Sequence, residues 1–276
     1  MGCLMKQYLD WRHIPLLLVV AITAAPLFLL FSNAVKPRDE FHTNPLGLPS
    51  RIEMSNLVEA WETGGYGEAF INSIIVGVSC IVIITISAGL AAYALSKIEF
   101  KGSSIIMGFL LFTLSIPMGL FLVPLFFIWK QLDLMDTLLG IIIIYSAIFL
   151  PFNIFLLRSF FVSIPNELLD SAKIDGCNEL QVITRIMLPL ARPAFLTVIL
   201  LVGLWTWNEF FFANAFLQTE ELKTVATRYL AFTGRFSSDW TMLCAAGVIT
   251  ILPVTIIFLI LQRKFIEGIA EGSVKG

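Results

Sequence analysis

Glu209 is the one formal charge set within an apolar run long enough to cross a bilayer, and Trp205, Trp207 and Asn208 stand beside it. A carboxylate, an amide and indole rings are groups that hold a hydroxyl-rich solute, and an ionisable side chain inside a span is a functional candidate by default. Trp205, Asn208 and Glu209 are therefore read as part of a solute path. An equal reading makes Glu209 the partner of a neighbouring subunit or a group reaching the interface. Other chemistry is sparse. Cys3, Cys80, Cys177 and Cys244 lie far apart with no CxxC, and His13 and His42 complete no zinc-ligand spacing, so no metal site is expected. No span clusters His, Asp, Ser or Lys as an embedded enzyme would need, and no GxxxxGK(S/T) phosphate loop occurs. No catalytic residue is expected, and any energy source has to be a partner or an ion gradient.

The elements that must position these residues follow from composition. Of 276 residues, 58% are hydrophobic and 14% charged, with a net charge of −2. Soluble domains run about 45–50% and about 25%, so a water-soluble globule is excluded and nothing in the bulk charge favours nucleic acid. A bilayer core about 30 Å thick takes about 20 helical residues. Six stretches meet that length: 14–34, 70–95, 103–129, 138–157, 194–217 and 241–261. The fold class is all-α, a polytopic membrane protein in the lipid bilayer. Residues 1–69 form a short head, the first span and an outer loop that includes a short interfacial helix near Ser55–Trp61. The transmembrane core covers 70–262, and 263–276 is a tail. The first span is too long for a signal-peptide core and is read as a retained anchor. Pro117 and Pro124 predict a bent third span, serving a pore or packing equally. Asn72 and Asn153 are read as interhelical hydrogen bonders, and Trp129 as an interface anchor. Most of the 18 Lys and Arg fall on the side of the N-terminus, which puts both termini in the cytosol.

One connection, residues 158–193, is long for such a chain. Ser163 and Pro165 predict a helix start, with Glu167 in its first turn. Gly176 predicts a left-handed stop. A second helix is expected from about Asn178 to Met187, ended by Pro189. Periodicity groups Leu168, Ala172 and Leu169 on the first helix and Leu180, Ile183 and Met187 on the second. Two amphipathic helices around a glycine turn make a cytosolic knob, which suits either a socket on a partner protein or the lipid headgroups.

The run Asp170-Ser171-Ala172-Lys173-Ile174-Asp175-Gly176, then nine residues, then Ile186-Met187-Leu188-Pro189, resembles the EAA loop of ABC importer permeases, E-A-A-x3-G-x9-I-x-L-P. Asp170 and Ser171 depart mildly from the pattern. Asn72-Ser73, Ala91-Ala92-Tyr93-Ala94, Trp207-Asn208 and the ending Glu267-Gly268 to Gly276 are similar to the carbohydrate branch, in its shorter six-span, maltose-type partner. The resemblance covers essentially 70–276. It implies a type I importer permease fold in the cytoplasmic (inner) membrane. It implies a second permease as hetero-dimer partner, two ATP-binding cassette ATPase subunits that hold ATP and Mg, an extracytoplasmic solute-binding protein and a sugar substrate. No cofactor would be bound by this chain. Asp170, Ser171, Ala172, Lys173, Asp175, Gly176, Ile186, Leu188 and Pro189 would then form the ATPase-docking coupling loop. The competing reading is an ion-coupled secondary transporter of a small polar solute, for which Glu209 is the one intramembrane carboxylate.

Overall fold

The computed structural model describes residues 13–233 and 239–273, and it is helical, with no strand among the described residues. The elements are α1 (Ile14–Ala34), α2 (Arg38–Thr43), α3 (Ser55–Thr63), α4 (Tyr66–Lys97), α5 (Ser103–Ser115), α6 (Leu122–Gln131), α7 (Leu138–Ser163), α8 (Asn166–Ile174), α9 (Glu179–Val182), α10 (Leu188–Leu190), α11 (Arg192–Asn208), α12 (Phe211–Phe216), α13 (Val225–Arg228) and α14 (Trp240–Ser273). The expected head before His13 and the last three residues of the tail lie outside the described residues. The chain divides into two compact units, Met1–Gly67 with Arg228–Pro253, and Glu68–Thr227 with Val254–Gly276.

Four helices, α1, α4, α7 and Trp240–Ile260 of α14, are long and apolar enough to cross a membrane, and the number rises to six if each of two bent pairs is one span. One bent pair lies in the third span, where prolines predict a bend, and the other joins the knob to α11. The third span breaks at Ile116-Pro117 into α5 and a piece running Met118–Gln131, bent by 96°. Ile116 and Pro117 are extended, because a residue before proline is pushed out of the helical region. Pro124 lies in the first turn of α6, where a missing N–H costs nothing, and causes no bend. The fifth span, expected to run unbroken from 194 to 217, stops at Asn208; Glu209 is extended and α12 begins afresh at Phe211. Over the other four expected stretches the chain is helical throughout, and α4 and α7 run beyond the apolar residues because polar ends continue the helix.

In the first unit the end of α1 is its one buried part, through Ser32, Asn33 and Ala34. The Asn56 amide on α3 donates to the carbonyls of Ala34 (3.2 Å) and Lys36 (2.9 Å), and Glu53 N–H reaches Val35 O at 2.7 Å. These bonds satisfy carbonyls that a helix end leaves orphaned. The expected helix near Ser55 is therefore present and acts as a cap. Ala34, Ala60, Met242, Ala245 and Val248 make the small core of this unit.

The second unit has the larger core. Val76, Cys80, Ile84, Ala88 and Ala92 recur at helical spacing along α4 and pack with Ile141, Ile144, Tyr145 and Leu157 of α7 and Ala194, Val198 and Val202 of α11. Small residues on α4 and α11 let backbones approach closely where the surrounding solvent is as apolar as the side chains. Trp129 corrects an expectation. It is buried, donates its indole N–H to Gly140 O at 3.1 Å and packs edge-on against Phe216, so it joins α6 to α7 and α12.

Candidate functional site

The knob is built from α8, α9 and α10. Ser163 does not cap it: Ser163 is the last residue of α7, and its hydroxyl bonds Phe160 O. The chain instead turns through extended Ile164 and Pro165 and begins α8 at Asn166. Gly176 has φ of +84°, the left-handed stop expected, and the Cys177 N–H returns to Ala172 O at 3.0 Å. A capping box follows: the Asn178 side chain accepts from Gln181 N–H, and the Gln181 side chain accepts from Asn178 N–H, both at 2.9 Å.

Pro189 does not end the second helix. The turn Ile183–Met187 opens to π spacing, and the helix continues through Pro189 to Leu190. A proline has no N–H for the carbonyl four residues back and its ring crowds that carbonyl; a π turn relieves both. The chain then bends by 80° at Ala191 before α11.

The apolar faces also differ in part from the expected ones. Leu169 and Ala172 of α8 are buried, as are Val182 and Met187, whereas Leu168 and Leu180 face outward. Asp170, Ser171, Lys173, Asp175, Gly176, Leu188 and Pro189 are exposed, Ile186 is half-buried, and Ile174 is 87% exposed. The knob thus turns Asp170, Ser171, Lys173, Asp175 and Gly176, with the projecting Ile174 and several leucines, away from its own chain.

Its attachment involves residues that pattern reading missed. Tyr93 on α4 donates to the Glu179 carboxylate, which also pairs with Lys173 at 2.9 Å across the glycine turn. Lys97 at the end of α4 donates to Ile164 O (2.6 Å) and to the Asn166 side-chain oxygen (2.8 Å). Arg158 on α7 reaches Leu95 O at 3.2 Å. Tyr93 and Lys97 of α4 therefore grip the knob at its base, and Arg158 ties α7 to α4 beside it. The Asn178-x-x-Gln181 spacing was a readable signal for the second helix start; the α4 contacts, over 60 residues away in sequence, had none.

The second candidate group sits at the break after α11. Glu209 accepts from Phe212 N–H (3.0 Å) and Ala213 N–H (3.1 Å), and Tyr145 on α7 donates its hydroxyl to the same carboxylate. A carboxylate on the free N–H groups of a helix start complements the dipole there. Glu209 does not share a helical face with Trp205 and Phe212, because the helix ends between them. Trp205 packs between Phe149 and Phe152, each with ring centroids 5.2 Å away, so Trp205 and Glu209 both dock on α7. Asn208 stays exposed with its amide N–H turned back to Leu204 O at 2.8 Å. Asn72 donates to the carbonyls of Glu221 (2.7 Å) and Lys223 (3.1 Å), fixing a turn instead of bridging two spans; Asn153 donates to Phe149 O in its own helix. An apolar hollow of about 350 Å³ lies among α4, α11 and the later half of α14, lined by Gly77, Ile81, Gly203 and Phe258. Its Ser73 and Thr206 hydroxyls are engaged with backbone, which leaves little for a hydroxyl-rich solute.

Comparison with known proteins agrees with this architecture. Residues 81–270 match the family model described as binding-protein-dependent transport system inner membrane component. The chain is 38% identical to a probable ABC transporter permease protein, YurM, of Bacillus subtilis, over 95% of this chain and 87% of that one. It is 32% identical to the diacetylchitobiose uptake system permease protein NgcG of Streptomyces coelicolor, over 97% and 89%. It is 33% identical to the arabinooligosaccharides transport system permease protein AraQ of Bacillus subtilis, over 91% and 90%. Among solved structures, a bacterial ABC transporter involved in the import of the acidic polysaccharide alginate superposes with a TM-score of 0.82 at 26% identity, over 92% of this chain and 95% of that one. A knob between the fourth and fifth spans, a multi-pass helical body and these relatives leave no place for the ion-coupled reading: the chain belongs to the binding-protein-dependent transport system inner membrane components, the permeases of ABC importers.

Proposed function

We propose that this chain forms one half of the membrane pathway for a sugar or oligosaccharide, paired with a different permease chain and driven by two ATPase subunits that hold ATP and Mg. The observation that carries it is the knob: an outward turn at Gly176, flanked by Ser171, Lys173 and Ile174, bonded at its base to α4, which Arg158 in turn ties to α7. A clamped knob moves as a rigid body with its helices, so closure of an ATP-loaded partner around Ile174 tilts α4 and α7 together. Both termini and the knob are cytosolic in this reading, and the Thr137 end of α7 faces the binding protein. The sugar assignment draws on relatives named for diacetylchitobiose and arabinooligosaccharides uptake.

At the far end of α11, the exposed Asn208 side chain and the half-buried Trp205 ring lie toward the path. Glu209 fixes the break that follows Asn208. Affinity purification from native membranes in mild detergent, followed by mass spectrometry, is expected to return a second permease and a P-loop ATPase at twofold ratio. Recovery of this chain alone, in detergent that preserves its fold, would overturn the ATPase-coupled reading.

A further inference from the structure

The loop after α1 is braced far more firmly than a connection requires. Lys36 is fully buried, and its ammonium donates to Asn44 O (2.6 Å) and Gly47 O (2.8 Å). The Asn33 amide donates to Pro45 O at 3.1 Å and the Ser32 hydroxyl to Gly47 O at 3.3 Å. On the other edge, the Glu40 carboxylate accepts from Ser50 N–H (2.9 Å), Ser50 hydroxyl (2.6 Å) and the Asn44 amide (3.2 Å). Those Ser50 bonds hold the Glu40 carboxyl below its ordinary range, so the brace stays ionised at neutral pH.

What this brace displays is apolar. Leu46 and Leu48 are 74% and 68% exposed, and residues 44–49 carry no charge. A loop already rigid loses little further freedom when it binds, and fixed leucines left in water are unfavourable. The bonds also set the depth of the tip. Pro45 and Gly47 are tied to the side chains of Asn33 and Ser32, in the last turn of an apolar helix of 21 residues, so Leu46 lies alongside that turn. A helix of this length ends at the headgroup boundary.

We propose that the Leu46–Leu48 tip is an interfacial membrane anchor, its leucines dipping between lipid headgroups of the leaflet where α1 ends, with acyl chains as their ligand. Lys36 is the positioning residue. Because Lys36 is spent on carbonyls and Arg51 pairs with Glu53, the tip demands no anionic lipid. The anchor would fix the α1 end in the bilayer independently of solute and of ATP.

The test uses the assembled importer in phosphatidylcholine proteoliposomes, with the four native cysteines replaced by serine or alanine and an environment-sensitive fluorophore attached at Leu46→Cys. Expected are a blue-shifted emission, loss of intensity when lipids carry a nitroxide near the headgroup, and little quenching by aqueous iodide. The same label at Asp39→Cys, on exposed α2, serves as the water-facing reference. Iodide quenching equal to that reference, with no nitroxide effect, would overturn the anchor. So would shielding that arises only when purified solute-binding protein is added, which would make the tip a protein-docking surface. Leu48→Cys gives the same readings if Leu46→Cys fails to assemble. ATP-driven uptake by the labelled vesicles, measured alongside, reports separately on the transport reading.

Discussion

Glu209 shows how a residue can be singled out for one reason and serve another. Its rarity in an apolar span suggested solute contact, yet its carboxylate is occupied by Phe212 and Ala213 N–H groups and the Tyr145 hydroxyl. A capping side chain contributes about 0.5–2 kcal/mol, and a charged acceptor sits toward the upper end. Glu209→Gln keeps the size and one acceptor oxygen but loses the charge, and is expected to lower the melting temperature of the purified permease by several degrees. If Glu209 were purely a solute contact, melting would be unchanged and only the KM for uptake would rise. Asn208→Ala, by contrast, is outside this network and should leave melting unaltered. The Tyr145 partner was not legible, since it lies 64 residues away and becomes adjacent only when α11 returns along α7.

At the scale of the element, the knob depends on a backbone conformation that a β-branched residue resists. A left-handed residue other than glycine costs about 1–2 kcal/mol, and at φ of +84° Gly176 has no neighbouring atom within 4 Å of an added Cβ, so the penalty is strain without clash. Gly176→Val is therefore expected to deform the turn while the spans remain inserted: uptake falls severalfold while ATP hydrolysis by the assembled complex persists. Gly176→Asn, which tolerates the left-handed region, should retain more uptake. Equal uptake by Gly176→Val and the parent protein would count against a coupling role. Much of this element was legible. Gly176, the proline near the first helix start and the loop length are local signals, and local signals survive in any context. Pro189 misled because a proline stop assumes standard α-helical spacing, and the π turn before it absorbs the missing N–H.

Across the whole second unit, α7 runs about 39 Å from Asp136 and Thr137 at one end to the knob at the other. Asp136 ties the two loops at its end together: its carboxylate accepts from Gln218 N–H (2.8 Å), Thr219 N–H (3.0 Å) and the Thr219 hydroxyl, and its own N–H reaches Phe216 O at 2.9 Å. Partial burial opposes ionisation of Asp136, but the hydrogen bonds from Thr219 and Gln218 outweigh it and leave its carboxyl below the ordinary range. A depressed folded pKa stabilises wherever the carboxylate is ionised, so the contribution is full above the unfolded value of about 3.9 and is lost as pH falls through the folded one. Acid melting curves of Asp136→Asn should accordingly run closer to the parent protein at the acid end than at pH 6. A constant offset between the two at all pH values would contradict this linkage.

By itself the sequence determined that the chain is helical and membrane-spanning, where its apolar runs lie and where the glycine turn of the knob falls, because hydropathy, caps and left-handed glycines act over a few neighbouring residues. The tertiary structure decided where two spans break, that Trp129 is buried instead of anchoring an interface, and that Tyr93 and Lys97 hold the knob to α4 while Arg158 ties α4 to α7. Those outcomes turn on satisfying buried carbonyls and carboxylates in a medium that offers no water, and the groups that satisfy them come from distant parts of the chain that only the folded packing of helices brings within reach.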